Sequence, residues 1–198
     1  MPGMSSAEYD RFSVVAFAPD PVRESIEDLR RQLPASGRPI IAPHVTLKGT
    51  FVDPVDLNQI AARVAATCEP VEPIEVSLGE LYDYTNGENA SIGFRVLAPA
   101  ALADLHRRLV SSLEILCVPL GGSFENPDVI HPHLTVVQQI SIESLASARK
   151  VADAYDVPRR FRLVEAAVMG RRHGGEWEVL STATFGAPSR PRAPDPLT

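Results

Sequence analysis

Pro43-His44-Val45-Thr46-Leu47 and Pro132-His133-Leu134-Thr135-Val136 are one phrase written twice. The match runs outward: Ile40-Ile41 aligns with Val129-Ile130, and Phe51 with Ile140. Of five histidines, only these two follow a proline and have Thr two residues on. A repeat that keeps His and Thr while its apolar residues drift points to a site with two equivalent halves. Two imidazoles facing one another across a cleft form an acid/base pair.

Reading outward from the two phrases gives alternating elements. Phe12 to Phe17 is an apolar, β-rich run, read as a strand. Asp20 to Leu33 reads as a helix, with Asp20 as N-cap, Pro21 at the first helical position, and Val22, Ile26, Leu29 and Leu33 at helical spacing. His44 to Val52 is the next strand. Asp53-Pro54-Val55-Asp56 opens a helix that runs to about Cys68. Ile74 to Tyr84 and Ala90 to Leu97 form a hairpin around Asn86-Gly87. A helix follows Pro99 to about Cys117. His133 to Ile140 is a strand, and Ser141 caps a helix that runs to about Tyr155. Phe161 to Met169 and Trp177 to Phe185 close the domain as a hairpin across Gly174-Gly175.

The order has a halving symmetry. Strand, Ala-Pro, helix, His-x-Thr strand, helix, strand is read from Phe12 and again from Ala90, with Ala18-Pro19 matching Ala98-Pro99. Hairpins imply antiparallel pairing. The expected fold is α+β, with two pseudo-symmetric lobes, each a mainly antiparallel sheet backed by helices. The cleft between them is the expected place of the site.

Side chains alternate along a strand with period two. In the first phrase Val45, Leu47 and Phe51 take the core face, which leaves His44, Thr46, Lys48 and Thr50 on the other. In the second, Leu134, Val136 and Ile140 take the core face, which leaves His133, Thr135, Val137 and Gln139. Each His then shares a face with its Thr, about 6.5–7 Å away along the strand. A neutral imidazole can take a proton from water, and a protonated one can give a proton to a departing oxygen. Thr hydroxyls can donate to the non-bridging oxygens that carry charge in phosphoryl transfer, and Lys48 could add a cation. This set suits in-line attack at a phosphodiester, particularly a strained cyclic one. It requires no metal and no cofactor, and there is no carboxylate cluster to hold a metal.

Composition narrows the partners. The chain has 198 residues, 44% of them hydrophobic, and a net charge of -6 from 25 acidic and 19 basic residues. An acidic balance disfavours gripping long duplex nucleic acid but leaves room for a nucleotide or an RNA end. Cys68 and Cys117 lack metal spacing and read as reduced thiols of a cytoplasmic protein. Met1 to Asp10 has no apolar signal core, and no apolar run approaches membrane-spanning length. Residues 1–10 are expected to be a flexible N-terminus, 11–186 a single bilobal domain, and the Pro-rich 187–198 a disordered tail. A monomer with no membrane association is expected.

Paired His-x-Thr motifs in two pseudo-symmetric halves resemble the 2H phosphoesterase superfamily, in particular its bacterial RNA 2',3'-cyclic phosphodiesterases, historically called 2'-5' RNA ligases. Arg11-Phe12-Ser13-Val14-Val15-Ala16-Phe17-Ala18-Pro19 resembles the family's opening strand. Leu163 to Met169 and Glu176 to Phe185 resemble its closing hairpin. The resemblance implies that His44 and His133 are the catalytic pair and that Thr46 and Thr135 bind phosphate. It implies a metal-independent hydrolase opening a 2',3'-cyclic phosphate at an RNA end or on a small nucleotide. The sequence departs from the common pattern at Lys48-Gly49-Thr50, where many relatives have an aromatic residue earlier than Phe51. It departs again at Val137-Gln138-Gln139, which lacks a basic residue. Which His is acid and which is base stays open here.

Other residues have weaker patterns. Tyr82 and Tyr84 could stack on a base, or simply pack a hairpin edge. Arg95 and Arg171 are phosphate candidates by residue type alone. Arg30-Arg31 and Arg107-Arg108 read as solvated helix faces, and His131-Pro132-His133 reads as repeat rather than metal pair. His106 and His173 have no evident partner. Two alternatives to hydrolysis stay in view. One is a nucleotide- or RNA-end-binding module with little turnover, and the other is 2'-5' RNA ligation as the reverse reaction.

Overall fold

A computed structural model of the chain describes residues 8–35, 41–97, 100–121, 126, 131–173 and 175–186. In chain order the elements are β1 (Tyr9–Phe17), α1 (Asp20–Arg30), β2 (His44–Val52), α2 (Leu57–Cys68), β3 (Ile74–Asn86), β4 (Asn89–Leu97) and α3 (Ala100–Leu113). They continue with β5 (Val118–Pro119), β6 (His133–Ser141), α4 (Ile142–Ala154), β7 (Arg160–Leu163), β8 (Glu165–Arg172) and β9 (Trp177–Thr184).

All these strands join one antiparallel sheet in the order β7-β3-β4-β6-β2-β1-β8-β9, with β5 on β2. The expected α+β fold of two related halves is present. β7-β3-β4-β6 is one half and β2-β1-β8-β9 the other, and they meet where Val45 of β2 pairs with Leu134 of β6. The helices are exchanged between the halves. α1 leaves β1 but packs on β6, and α3 leaves β4 but packs on β2. α4 covers β3, β4 and β6, while α2 lies against α3, β8 and β9. Beneath them runs one continuous core that includes Val14, Ile26, Leu47, Ile60, Phe94, Leu105 and Leu134.

Several element ends differ from the sequence reading, each for a local reason. β1 starts at Tyr9, so Tyr9 and Asp10 belong to the folded domain. Pro19, not Asp20, is the N-cap of α1, and Asp20 is the first-turn acid that complements the helix dipole. α1 ends at Arg30, with Val22, Ile26 and Leu29 buried. α2 starts only at Leu57, where Asp56 accepts from the Asn58 N–H at 2.8 Å. Ser141 precedes α4, but its hydroxyl meets Ser144 Oγ rather than a backbone N–H. α3 stops at Leu113, and Val118–Pro119 adds a short strand.

The expected strand from Phe161 to Met169 is in fact two. Val164 separates β7, which pairs with β3, from β8, which pairs with β1 and β9. One run of chain therefore ties the two halves together. The Asn86-Gly87 hairpin is present, with Gly87 at φ 61° at the first loop position. The Ala98-Pro99 repeat, Gly174, residues 1–7 and the tail from 187 lie outside the described residues.

Candidate active site

The Val45–Leu134 pair sets the site. Because the pairing is antiparallel, the two phrases run past each other about a local two-fold at that pair. His44 then stands opposite Thr135, and Thr46 opposite His133. The two His are diagonal neighbours, a relation that places Cβ atoms roughly 7–8 Å apart. All four side chains are half-buried, and all lie on the sheet face away from the main core.

Each His is held the same way. His44 Nδ1–H donates to the Ala42 carbonyl at 2.8 Å, and His133 Nδ1–H donates to the His131 carbonyl at 3.0 Å. A carbonyl only accepts, so each neutral ring has its proton on Nδ1 and its lone pair on Nε2. An aromatic edge steadies each ring: Phe17 against His44 with centroids 6.3 Å apart, and Tyr82 against His133 at 5.5 Å. Burial pushes the His44 pKa down to about 4, and the nearby charges of His133 and Arg30 push the same way. His133 is also lowered, mainly by burial.

A bulge in each half corrects the strict alternation. Val14 pairs with Lys48 but Val15 with Thr46, and Ile92 pairs with Val137 but Gly93 with Thr135. Two residues on one strand therefore span three on the other. After each Thr, two successive side chains turn to the core face: Leu47 with Lys48, and Val136 with Val137. Lys48, expected beside His44 as a phosphate contact, is 2% exposed, with its ammonium 5.1 Å from the Phe51 ring centroid. The bulge has taken it out of the site, and its counterpart is the core residue Val137.

The bulge carbonyls have partners from the exchanged helices. His106 of α3 lies between two carbonyls, with Nδ1 2.8 Å from that of Leu47 and Nε2 3.0 Å from that of Asn126. Arg30 of α1 donates to the carbonyls of Val136 at 2.8 Å, Thr135 at 3.0 Å and Ile41 at 3.3 Å. Arg30 is therefore no solvated helix residue; it clamps β6 beneath the His133 motif to the segment that leads into His44. Sequence reading missed both residues, because nothing local marks a helix side chain that reaches a bulge on another strand.

A family model described as the 2'-5' RNA ligase superfamily matches residues 18–175, a span that includes both His-x-Thr motifs. The chain belongs to this superfamily. Among solved structures, Escherichia coli LigT in complex with NADP+ is similar at 20% identity and TM-score 0.59, over 91% of this chain and 99% of that one. E. coli LigT in complex with 3'-AMP gives 18% identity and TM-score 0.59, over 91% and 99%. TT0787 of Thermus thermophilus gives 16% identity and TM-score 0.62, over 90% and 100%. At these identities the likeness is one of fold. No protein of curated function matches.

The remaining candidates in this 2'-5' RNA ligase superfamily member divide by position. Tyr82 reaches across Gly93 to Thr135, with which its hydroxyl forms a hydrogen bond. A Cβ at Gly93 would stand 2.9 Å from both the Leu134 carbonyl oxygen and the Tyr82 ring, so only glycine lets the ring lie there. Burial holds the Tyr82 phenol protonated, with its pKa pushed up to about 12. Tyr84, two residues further along the hairpin, is 61% exposed and opposite Ser91, away from the His pair. Arg95 pairs with His133 across β4 and β6 and so stays at the rim of the site, where it also meets Glu80 at 3.2 Å. Arg171 is elsewhere, bound to both carboxylate oxygens of Asp10 at 2.9 and 2.5 Å. Cys68 and Cys117 are buried and not joined in a disulfide, and the Cys117 thiol donates to the Leu113 carbonyl at 3.3 Å. Among the described residues no helix is long and apolar enough to cross a membrane.

Proposed function

We propose that the protein is a cyclic phosphodiesterase that opens a 2',3'-cyclic phosphate at an RNA end or on a nucleotide without a metal ion. The observation that carries this reading is the two-fold arrangement of His44 and His133, each tied through Nδ1 to a backbone carbonyl and flanked by the other motif's Thr. With the proton on Nδ1, Nε2 is the basic atom of each ring, and the two-fold relation sets the rings on opposite sides of the point between the motifs.

His44 acts as base and His133 as acid. Neutral His44 takes a proton from water as the water oxygen bonds to phosphorus. The bond from phosphorus to one ribose oxygen breaks, and His133 gives that oxygen its proton. The product is a phosphomonoester beside a free hydroxyl. Thr46 and Thr135 donate to the non-bridging oxygens, and Arg95 at the rim adds charge. Burial keeps His44 neutral down to about pH 4, which suits it to act as the base. Among the described residues, the titrating and charged groups near the pair include the two imidazoles themselves, Arg30, His131, Arg95 paired across the strands with His133, and the Tyr82 phenol against its ring. The nucleotide complexes of E. coli LigT, with 3'-AMP and with ATP, support a small-nucleotide ligand for this fold.

The test is hydrolysis of the four 2',3'-cyclic nucleotides and of an RNA oligomer with a cyclic-phosphate end, in EDTA. Turnover is expected for at least one. Nucleotide binding with no turnover would leave a binding module, and joining of 5'-hydroxyl to cyclic-phosphate ends would give the reverse reaction.

A pH prediction follows. kcat/KM reports the free enzyme. His44 becomes neutral, and therefore competent, as pH rises through about 4. His133 loses its proton, and its competence, as pH rises through a value below its ordinary pKa of about 6.5. The bell for kcat/KM is therefore expected to peak below about pH 6.5. A bound phosphate anion favours both imidazolium forms, so the kcat profile should lie at higher pH. A kcat/KM maximum above pH 8 would remove this assignment. Tyr82→Phe, which keeps the ring edge on His133 but loses the bond to Thr135, is expected to lower kcat about 3- to 10-fold, in line with one neutral hydrogen bond; steady-state kinetics at saturating substrate reads this.

A further inference from the structure

The two halves match at the motifs and differ beside them. Outward from Thr135 across the sheet come Gly93 and then Tyr82; outward from Thr46 come Val15 and then Ala167. Tyr82 fills the His133 side. On the His44 side Ala167 is small and buried with Val15 and Met169, and a cavity of about 300 Å³ lies beside that cluster. That size is at the low end for ligand pockets, about 300–1,000 Å³. Phe17, Ile41, Ala42, Met169, Trp177 and Glu176 line it.

This cavity adjoins the site through two of its wall residues. Phe17 is the ring whose edge meets His44, and Ala42 gives the carbonyl that holds His44 Nδ1. Its walls are apolar and aromatic, and Glu176 is the one charged side chain among the described lining residues. A carboxylate repels phosphate, so the cavity does not take the reacting group itself. It suits a flat, neutral ring, and an ionised carboxylate only accepts hydrogen bonds, so the ring must offer donors to it. Across the site the rim next to His133 carries the cation Arg95 instead.

We infer that this cavity is the nucleobase subsite of the substrate whose cyclic phosphate lies between His44 and His133, with the base stacked on Trp177. Guanine is the best match, because its N1–H and 2-amino group offer Glu176 two adjacent donors, where adenine, cytosine and uracil offer fewer at one edge. The base side of the substrate is thus fixed to His44 and the charged side to His133 and Arg95. The inference deepens the cyclic phosphodiesterase reading and rests on it for the placement of phosphate.

Trp177 is the single tryptophan of the chain, so its fluorescence reports on the cavity directly. Titration of the full-length protein with 3'-GMP is expected to quench it saturably, while inorganic phosphate binds without quenching. Calorimetry with the same nucleotide runs beside it. Binding seen by calorimetry with no change at Trp177 would place the base elsewhere and overturn the inference. Absence of any nucleotide binding would overturn it together with the phosphodiesterase reading. In kinetics, Trp177→Ala is expected to raise KM for 2',3'-cyclic nucleotides about 5- to 100-fold, the range for losing one stacked base, with a smaller change in kcat. Glu176→Gln is expected to reduce any preference for the guanosine substrate. If ribose 2',3'-cyclic phosphate, which has no base, is hydrolysed with the same kcat/KM as the nucleotides, the subsite is refuted while the enzyme reading stands.

Discussion

Replacing His44 with Ala is expected to cut turnover of the cyclic phosphate by about 10²- to 10⁴-fold, and His133→Ala by the same order. The two losses should not multiply in the double variant, because acid and base serve one transition state and losing either disables it. Each ring also holds a backbone carbonyl, of Ala42 or His131, so thermal unfolding of each variant must be measured beside its kinetics. The roles separate with a change of leaving group. A phosphodiester whose leaving oxygen is 4-nitrophenolate departs without protonation. Activity on it should recover in His133→Ala and stay lost in His44→Ala. Recovery in His44→Ala alone would exchange the roles of acid and base, and near-wild-type turnover of the cyclic substrate in either folded variant would sink the mechanism.

The repeat made much of this legible. A His-x-Thr phrase occurring twice, in a chain whose strand and helix order also halves, specified the α+β class, the symmetry and the four residues at its centre. Strand alternation put His44 with Thr46 and His133 with Thr135, and the register agrees. It failed one step later, at Lys48. A bulge adds a residue to one strand and changes the facing after it, until a second register shift returns Phe51 and Ile140 to the core face, and Thr46-Leu47-Lys48 carries no glycine or proline to announce the first. The sequence of the second half held a hint, since Val137 at the matching position is a poor candidate for a polar face. Arg171 was misjudged for a different reason. Its partner Asp10 lay in a segment read as outside the domain, so the pair was invisible. Residue type singled out Tyr82, which lies beside His133, but not its posture, which depends on Gly93 one strand away. Helix ends were displaced by one to a few residues, as Asp56 shows by capping a helix expected to open at Asp53. Period and residue type predict what a single strand presents. They do not predict what a helix brings from the other half.

Arg30 shows the cost of that gap, and its replacement carries the second large expected effect. Its guanidinium spans three carbonyls, of Thr135, Val136 and Ile41, and so links the strand of His133 to the approach to His44. Hydrogen bonds from a charged donor contribute about 1.5–3 kcal/mol each, but this side chain is half-buried and water would replace part of the set. Arg30→Met is therefore expected to cost roughly 2–3 kcal/mol in all, which for a domain of this size lowers Tm by about 5–10 °C. Activity should fall further than stability alone explains. A shift of about 1 Å between acid and base can cost 10²-fold, so kcat is expected to drop about 10- to 100-fold at a temperature where the variant is fully folded. A third readout separates positioning from support. His44 is depressed first by burial, but the charge of Arg30 adds to it. Removing that charge should move the acid limb of kcat/KM to higher pH. Arg30→Lys keeps the charge as a single point and loses the fork, so it should retain the acid limb yet recover only part of kcat. A fall in Tm with kcat and the acid limb unchanged would reduce Arg30 to a structural clamp. If neither Tm nor kcat moves, the exchanged helix does not hold the motif at all, and the bulge at Thr135-Val136-Val137 keeps its shape through the sheet alone.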